Sequence, residues 1–257
     1  MALLEGRKAL VVGVANRRSI AWGIARQLHA HGAELCLTYQ NERLRENVEE
    51  LAATLSPSPF LTALDVTDEE QLKVAASSIG EQFGSLHVVV HSVAHAKRED
   101  LEGQFLATSR DGFLFAQDVS SYSLVALTRA MSPLLPDGAS VMAITHLGSE
   151  RVMPNYNVMG VAKASLEACV RYLAADLGPE RKIRVNAISA GPLKTLAASG
   201  VKGLSTKIHE FQEKAPLREA MDPLAIGDAA VFLASDLSRA VTGDVLFVDN
   251  GFHVMGV

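Results

Sequence analysis

Short apolar runs alternate with stretches of helical spacing along almost the whole chain. Lys8-Ala9-Leu10-Val11-Val12-Gly13 is continuous and apolar, as a strand covered on both faces should be. Ile20, Ile24 and Leu28 then share one helical face, with Ser19 placed to cap that helix and Gly32 to close it. Leu35-Cys36-Leu37-Thr38-Tyr39 predicts a second strand, and residues 60–65, after Ser56-Pro57-Ser58-Pro59, a third. Leu72, Ala76, Ile79 and Phe83 mark the next helix, and His87-Val88-Val89-Val90-His91 the fourth strand. A long helix is expected over about 110–132 and a fifth strand over 139–145. A further helix runs from Tyr156 to Leu177, with Gly178-Pro179 as its stop signal. Val185-Asn186-Ala187-Ile188 and Val245-Leu246-Phe247-Val248 supply two more strands, separated by a weakly patterned segment at about 193–222.

Repeated β-α units imply parallel strands joined by right-handed crossovers. The expected fold class is α/β, a single-domain Rossmann-type doubly wound parallel sheet with helices on both faces, spanning residues 1–257. No linker, charge block or composition shift divides the chain. In such sheets ligands bind beyond the carboxyl ends of the strands, so the loops there are where chemistry is sought.

Composition narrows the functions more than it names one. Apolar residues make up 48% but aromatics only 5%, so the core is aliphatic. A formal charge of −5 leaves no electrostatic footprint for nucleic acid. Cys36 and Cys169 lie far apart in apolar runs and read as reduced thiols. The eight histidines form no HExxH pattern, so no metal site is expected. No apolar stretch approaches the ~18 residues of a membrane span, and Glu5, Arg7 and Lys8 make the start a poor signal peptide. A cytoplasmic location without membrane insertion is the expectation.

The first strand ends in Gly13-Val14-Ala15-Asn16-Arg17-Arg18-Ser19-Ile20-Ala21. Glycine at this corner lets backbone approach a pyrophosphate, and the following helix offers free N–H groups and a positive dipole end. The small residues fall at 13, 15, 19 and 21 rather than as GxGxxG, so an ordinary βα turn is the competing reading. Gln40, after the second strand, suits a free ribose hydroxyl and favours NADH, while nearby Arg43 leaves NADPH open. Asp65 ends the third strand, either to accept from an adenine amino group or to cap the helix before Glu69. Tyr156 and Lys163 stand seven apart, two helical turns, and so share a face. A phenol donates to an oxygen that turns anionic, and an ammonium favours that charge and binds ribose hydroxyls. Asn155, Asn157 and Met159 read as structural or substrate-lining.

Tyr-x6-Lys in this setting resembles the short-chain dehydrogenase/reductase superfamily. The chain is similar, end to end, to its enoyl-acyl carrier protein reductase branch of bacterial fatty-acid synthesis. The carriers are Gly13-Val14-Ala15-Asn16 with Ser19-Ile20-Ala21, Thr38-Tyr39-Gln40, His91-Ser92, Pro154 to Gly160 with Ala162-Lys163-Ala164, Arg184 to Pro192, and Thr195-Leu196-Ala197-Ala198. Ketone-reducing relatives usually carry a serine thirteen residues before the tyrosine, where this chain has Ala143, and Asn-Asn-Ala-Gly where it has His91-Ser92-Val93-Ala94. The resemblance implies hydride transfer from NADH to the β-carbon of a trans-2-enoyl thioester. Tyr156 then donates to the developing enolate, and Lys163 holds the nicotinamide ribose. It assigns the cofactor to Gly13, Ser19, Ile20, Gln40, Asp65, Val66, Val93, Lys163, Leu193, Lys194, Thr195, Leu196 and Ala197. It assigns substrate contact to Ala96 and Tyr156, and a lid over the acyl chain to about 195–215.

The chain departs from that pattern at two places. The aromatic that usually precedes the tyrosine by ten is His146, and the usual loop phenylalanine is His95, followed by Lys97 in place of a common proline. Both histidines read as polar rim residues. The sharper expectation makes His146, with a reference pKa of ~6.5, a source of added pH dependence in turnover. An acidic acyl carrier protein would be steered by Lys202 and Lys207 on the lid, and more weakly by Lys97. Relatives are homotetramers, and the apolar run from Val245 to Val257 suits a subunit interface. The alternatives are another reductase of the superfamily, acting on a ketone or small enone, and a non-catalytic nucleotide-binding homologue.

Overall fold

The computed structural model describes residues 2–195 and 203–256. Its element order is β1 (Lys8–Val12), α1 (Ile20–Ala30), β2 (Glu34–Tyr39), α2 (Glu42–Ala52), β3 (Phe60–Ala63), α3 (Glu69–Phe83), β4 (Val88–His91) and α4 (Arg98–Leu101). Then come α5 (Arg110–Gln117), α6 (Ser123–Met131), β5 (Ser140–Thr145), α7 (Asn157–Arg181), β6 (Arg184–Ala190), α8 (Leu204–Lys214), α9 (Pro223–Ala234) and β7 (Val245–Val248). The described strands form one sheet in the order β3-β2-β1-β4-β5-β6-β7, every pair parallel. This is the expected doubly wound α/β architecture, with the order reversing between β1 and β4.

The alternation of side chains along each strand builds two cores. Ala9, Val11, Leu35, Leu37, Val88, Val90, Met142 and Ile144 face α1, α2 and α9. Leu10, Val12, Cys36, Val89, Val141 and Ala143 face α3, α6 and α7. Because both faces are covered, the central strands lack polar alternation, which is why they read as continuous apolar runs.

Three boundaries differ from the sequence expectation, each for a physical reason. Helix α7 passes through Gly178-Pro179 to Arg181. Proline in the last turn forfeits one backbone bond, while Arg181 reaches Ser132 Oγ at 3.0 Å and Lys182, left-handed at φ 53°, closes the end. The helix expected over 110–132 is α5 and α6 joined by a π-turn at Asp118–Tyr122. The segment at 193–222 contains α8, a helix whose single buried residue, Phe211, gives it little apolar periodicity.

Candidate active site

The loops after β1 and β4 meet at the point where strand order reverses. Gly13 has φ +107°, and a Cβ there would lie 2.1 Å from the Ser92 carbonyl oxygen, so the corner accepts no side chain. Ser19 does not cap α1 as expected. Its hydroxyl accepts from the N–H of Ala15 (3.1 Å) and Asn16 (2.9 Å) and donates to the Asn16 carbonyl (2.5 Å), which folds the loop onto itself. The N-terminus of α1, starting at Ile20, is left with free N–H groups toward the loop, the donor set a pyrophosphate needs.

Gln40 and Asp65, separated by a whole β-α unit in sequence, are brought together at the ends of β2 and β3. Gln40 Nε2 donates to Asp65 Oδ2 at 3.0 Å, and Thr67 donates to Oδ1 from both N–H (3.0 Å) and hydroxyl (2.7 Å). Burial alone would raise the Asp65 carboxyl, but these hydrogen bonds outweigh it and hold the group below the ordinary carboxylate range. The cap of α3 is Asp68 instead, accepting from Glu70 and Gln71 N–H. That resolves the capping alternative for Asp65. Val66 is buried beside it, Val93 packs partly buried against the α3–α6–α7 core, and Leu193 against the opposite core. Lys194 is exposed and Thr195 partly buried, its N–H on the Leu193 carbonyl at 2.8 Å. Leu196, Ala197 and Lys202 lie outside the described residues.

Tyr156 occupies the cap position of α7 rather than its first turn, with φ −125° and ψ −14°. Asn155 before it is left-handed at φ 59°, and Asn157 after it donates to the carbonyls of Glu102 (3.3 Å) and Gly103 (3.2 Å), tying the helix start to the loop after α4. The phenol ring lies on Gly148, where a Cβ would meet Tyr156 Cδ1 at 2.5 Å. It packs against a small apolar cluster of Ala96, Leu101, Ala116, Val158 and Met159, so the two residues assigned to substrate border the same cluster. Burial raises the phenol above its ordinary value, which keeps it a protonated donor at neutral pH.

Lys163, two turns along α7, is 4% exposed and donates to the Ile144 carbonyl at 2.7 Å. Burial pulls its ammonium down to about 8, against an upward pull from Glu167. His146 packs on Tyr156 with ring centroids 4.9 Å apart, and its Nδ1 accepts the Gly148 N–H at 3.0 Å. Burial, then the charges of Lys163 and Lys207, push His146 down to about 4. It is therefore neutral at physiological pH, and an inflection from it belongs near 4 rather than 6.5. His95 is exposed, its ring edge-on to Phe115 at 5.5 Å, in keeping with a rim position. Ala143 is wholly buried and presents no hydroxyl.

Several participants carried no local signal. Gly148 is an ordinary loop glycine until Tyr156 lies on it. Glu167 follows Lys163 by four and reads as half of a surface pair, yet it is buried and accepts the Thr145 hydroxyl at 2.6 Å. Lys207 of α8 donates to the Pro154 carbonyl, two residues before Tyr156, instead of standing free. Among the described residues no group of His, Cys, Asp and Glu is arranged to hold a metal, and no helix is long and apolar enough to cross a membrane.

Comparison with known proteins places the chain in a family. The family model described as Enoyl-(Acyl carrier protein) reductase matches residues 13–253. The enoyl-acyl-carrier-protein reductase (NADH) of Bacillus subtilis (strain 168) is 52% identical over 252 residues, covering 98% of this chain and 97% of its own. The enzyme of Staphylococcus aureus (strain MRSA252), named for NADPH, is 49% identical over 256 residues, covering 99% and 100%. The crystal structure of the Bacillus cereus enoyl-acyl carrier protein reductase with NADP+ and indole naphthyridinone superposes with TM-score 0.97 at 52% identity over 100% of both chains. That of Aquifex aeolicus VF5 gives 0.95 at 45% identity over 99% of both. With the matched region reaching from the Gly13 corner past β7, the chain belongs to the enoyl-(acyl carrier protein) reductase family of oxidoreductases.

Proposed function

We propose that this protein is an enoyl-acyl carrier protein reductase that uses NADH to saturate a trans-2-enoyl thioester. The observation that carries the reading is the Tyr156 phenol, seated on Gly148 and kept protonated by burial, against the apolar cluster of Ala96 and Met159 and at the cap of the helix that holds the buried Lys163.

The nicotinamide, when bound, supplies the hydride to the β-carbon. The chain's own residues do the rest. Gly13, Ser19 and the start of α1 at Ile20 offer backbone to the pyrophosphate, and Gln40 with Asp65 faces the adenosine end. Val66, Val93, Leu193, Lys194 and Thr195 complete the lining, with Leu196 and Ala197 beyond the described residues. Lys163 spends one of its three N–H donors on Ile144 and directs the others to ribose hydroxyls. Tyr156 donates to the thioester oxygen as negative charge develops there, an interaction worth ~10²–10³-fold in rate for one well-placed donor. The neutral imidazole of His146 supports the tyrosine ring by packing. Ala143 fits a reaction whose anionic oxygen belongs to an enolate and not to a ketone.

Gln40, uncharged and bonded to Asp65, favours NADH, whose ribose hydroxyl it can bind without repelling anything. The acyl chain arrives on acyl carrier protein under a lid formed by about 195–215, of which α8 is the described part. Exposed Lys97 and Lys194 add to the steering charge. The exposed Leu106, Leu114 and Tyr172 and the half-buried edge strand β7 support a homotetramer, for which the cytoplasm is the expected location. The decisive assay follows oxidation of NADH, and separately NADPH, with crotonyl and longer trans-2-enoyl thioesters, with Tyr156→Phe as control. Turnover faster with NADH and lost in the variant is expected; absence of turnover with both cofactors at every chain length overturns the reading.

A further inference from the structure

Lys163 and Glu167 are one helical turn apart on α7, and each is tied to the carboxyl end of β5. Lys163 Nζ donates to the Ile144 carbonyl at 2.7 Å, and the next residue, Thr145, donates its hydroxyl to Glu167 Oε1 at 2.6 Å. Thr145 is buried, and Glu167 is 6% exposed. A carboxylate taken this far from water is costly unless opposite charge and hydrogen bonds compensate, and one hydroxyl is a small compensation. The other titratable groups on which the Lys163 charge acts are His91 from β4 and His146 from the loop after β5, while Tyr156 lies two turns before it at the cap of α7. Both imidazoles are held neutral, His91 at about 3 and His146 at about 4, with burial the main cause and the Lys163 charge the next. Asp249, beyond β7, acts on His146. Among the described residues, Glu167 is thus the one acid whose charge acts on the lysine.

We propose that Glu167 is a positioning residue for Lys163: its carboxylate, one helical turn away and anchored by Thr145 at the end of β5, keeps the buried ammonium charged on its Ile144 partner. The inference deepens the reductase reading and rests on it. Burial drives Lys163 toward the neutral amine, and the attraction of Glu167 is the opposing cause. The amine form has one donor fewer and no charge to offer a ribose or a developing enolate. Thr145 fixes the direction from which the carboxylate acts, so loss of its hydroxyl weakens the same effect.

The test is the pH dependence of kcat/KM and, independently of turnover, of the NADH Kd read from nicotinamide fluorescence in the binary complex. Glu167→Gln keeps size and an acceptor for Thr145 but removes the charge. Its alkaline limb is expected to move down by on the order of one pH unit in both measurements, the lower end of the range for loss of a neighbouring opposite charge. At pH 8–9 this reads as roughly a tenfold loss relative to the parent, shrinking at pH 6. Thr145→Val shifts both curves in the same direction, and Thr145→Ser restores them. Superimposable pH curves in a folded Glu167→Gln protein overturn the proposal, even if kcat falls uniformly, because a uniform fall is what a merely structural role produces. If Glu167→Gln does not melt cooperatively, the Thr145→Val and Thr145→Ser pair decides by the same criterion. A parent protein that binds NADH but reduces no enoyl thioester defeats the reductase reading instead, and the binding curves still judge Glu167.

Discussion

Two buried cations, Arg184 and Lys163, sit at opposite ends of the sheet and show what separates a charge spent on the fold from one with donors to spare. Arg184 starts β6, is 7% exposed, and donates to Ser238 Oγ at 2.8 Å and the Ser235 carbonyl at 3.4 Å. Burial, then repulsion from Arg7, lowers its guanidinium, yet an arginine stays a cation throughout the working pH range. Lys163 lies beyond the carboxyl ends, with one carbonyl partner and an ammonium pulled down to about 8. Burial is similar in the two. What differs is whether the group spends its donors on the fold and whether it can release a proton near neutrality.

The largest effect that would break this contrast is expected at Tyr156, the group Lys163 is proposed to support. Tyr156→Phe should lower kcat by ~10²–10³-fold with a melting temperature close to the parent's; a loss under threefold would remove the site from the Lys163 end. Gly148→Ala should follow at about 10–100-fold, because its Cβ displaces the Tyr156 ring, and a misplacement of ~1 Å has that order of cost. Arg184→Met should do the reverse, losing about 2 kcal/mol of stability in denaturant titration while leaving turnover per folded molecule intact. If its kcat falls in proportion instead, the two cations are not separable.

Smaller effects sharpen the comparison through pH. kcat/KM should decline above pH ~8 as Lys163 loses its proton, with no counterpart from Arg184. The sign for stability is opposite. Unfolded Lys163 holds its proton up to about 10.5, the folded one only to about 8, so the fold is penalised below pH 8 and relieved between 8 and 10.5. His146→Phe should change kcat/KM by less than about twofold and leave its profile superimposable between pH 6 and 8, since an imidazole at about 4 is already neutral there. A profile that separates near 6.5 would show the ring to be far more hydrated than its packing on Tyr156 allows.

The sheet was legible because its central strands bury both faces and so declare themselves as runs of Val, Ile, Leu and Ala. Tyr156 and Lys163 were legible because their spacing matches the helix that carries them. Glu167 was not, because its partner Thr145 lies on another element and no local pattern records a pairing across twenty-two residues. Ser19 misled for a related reason: serine at a helix start usually caps, but here its hydroxyl turns back to the loop. Helix α8 escaped because its attachment is one phenylalanine and a lysine-to-carbonyl bond, neither of which makes a periodic stripe.

The π-turn between α5 and α6 makes this stretch sensitive to number rather than kind. Ser120 exchanges hydrogen bonds with the His95 backbone, Ser121 meets Ser165 on α7, and Ser123 meets His91 on β4. Three near-consecutive side chains thus aim at three different neighbours, which a regular helical turn of ~100° per residue would not arrange in the same way. Deleting a single residue anywhere in 118–122 would let the helix close up and rotate all that follows by one step, unhooking the loop after β4, α7 and β4 together. The segment works as a counter, and a miscount of one there is expected to disturb the active site more than most substitutions within it.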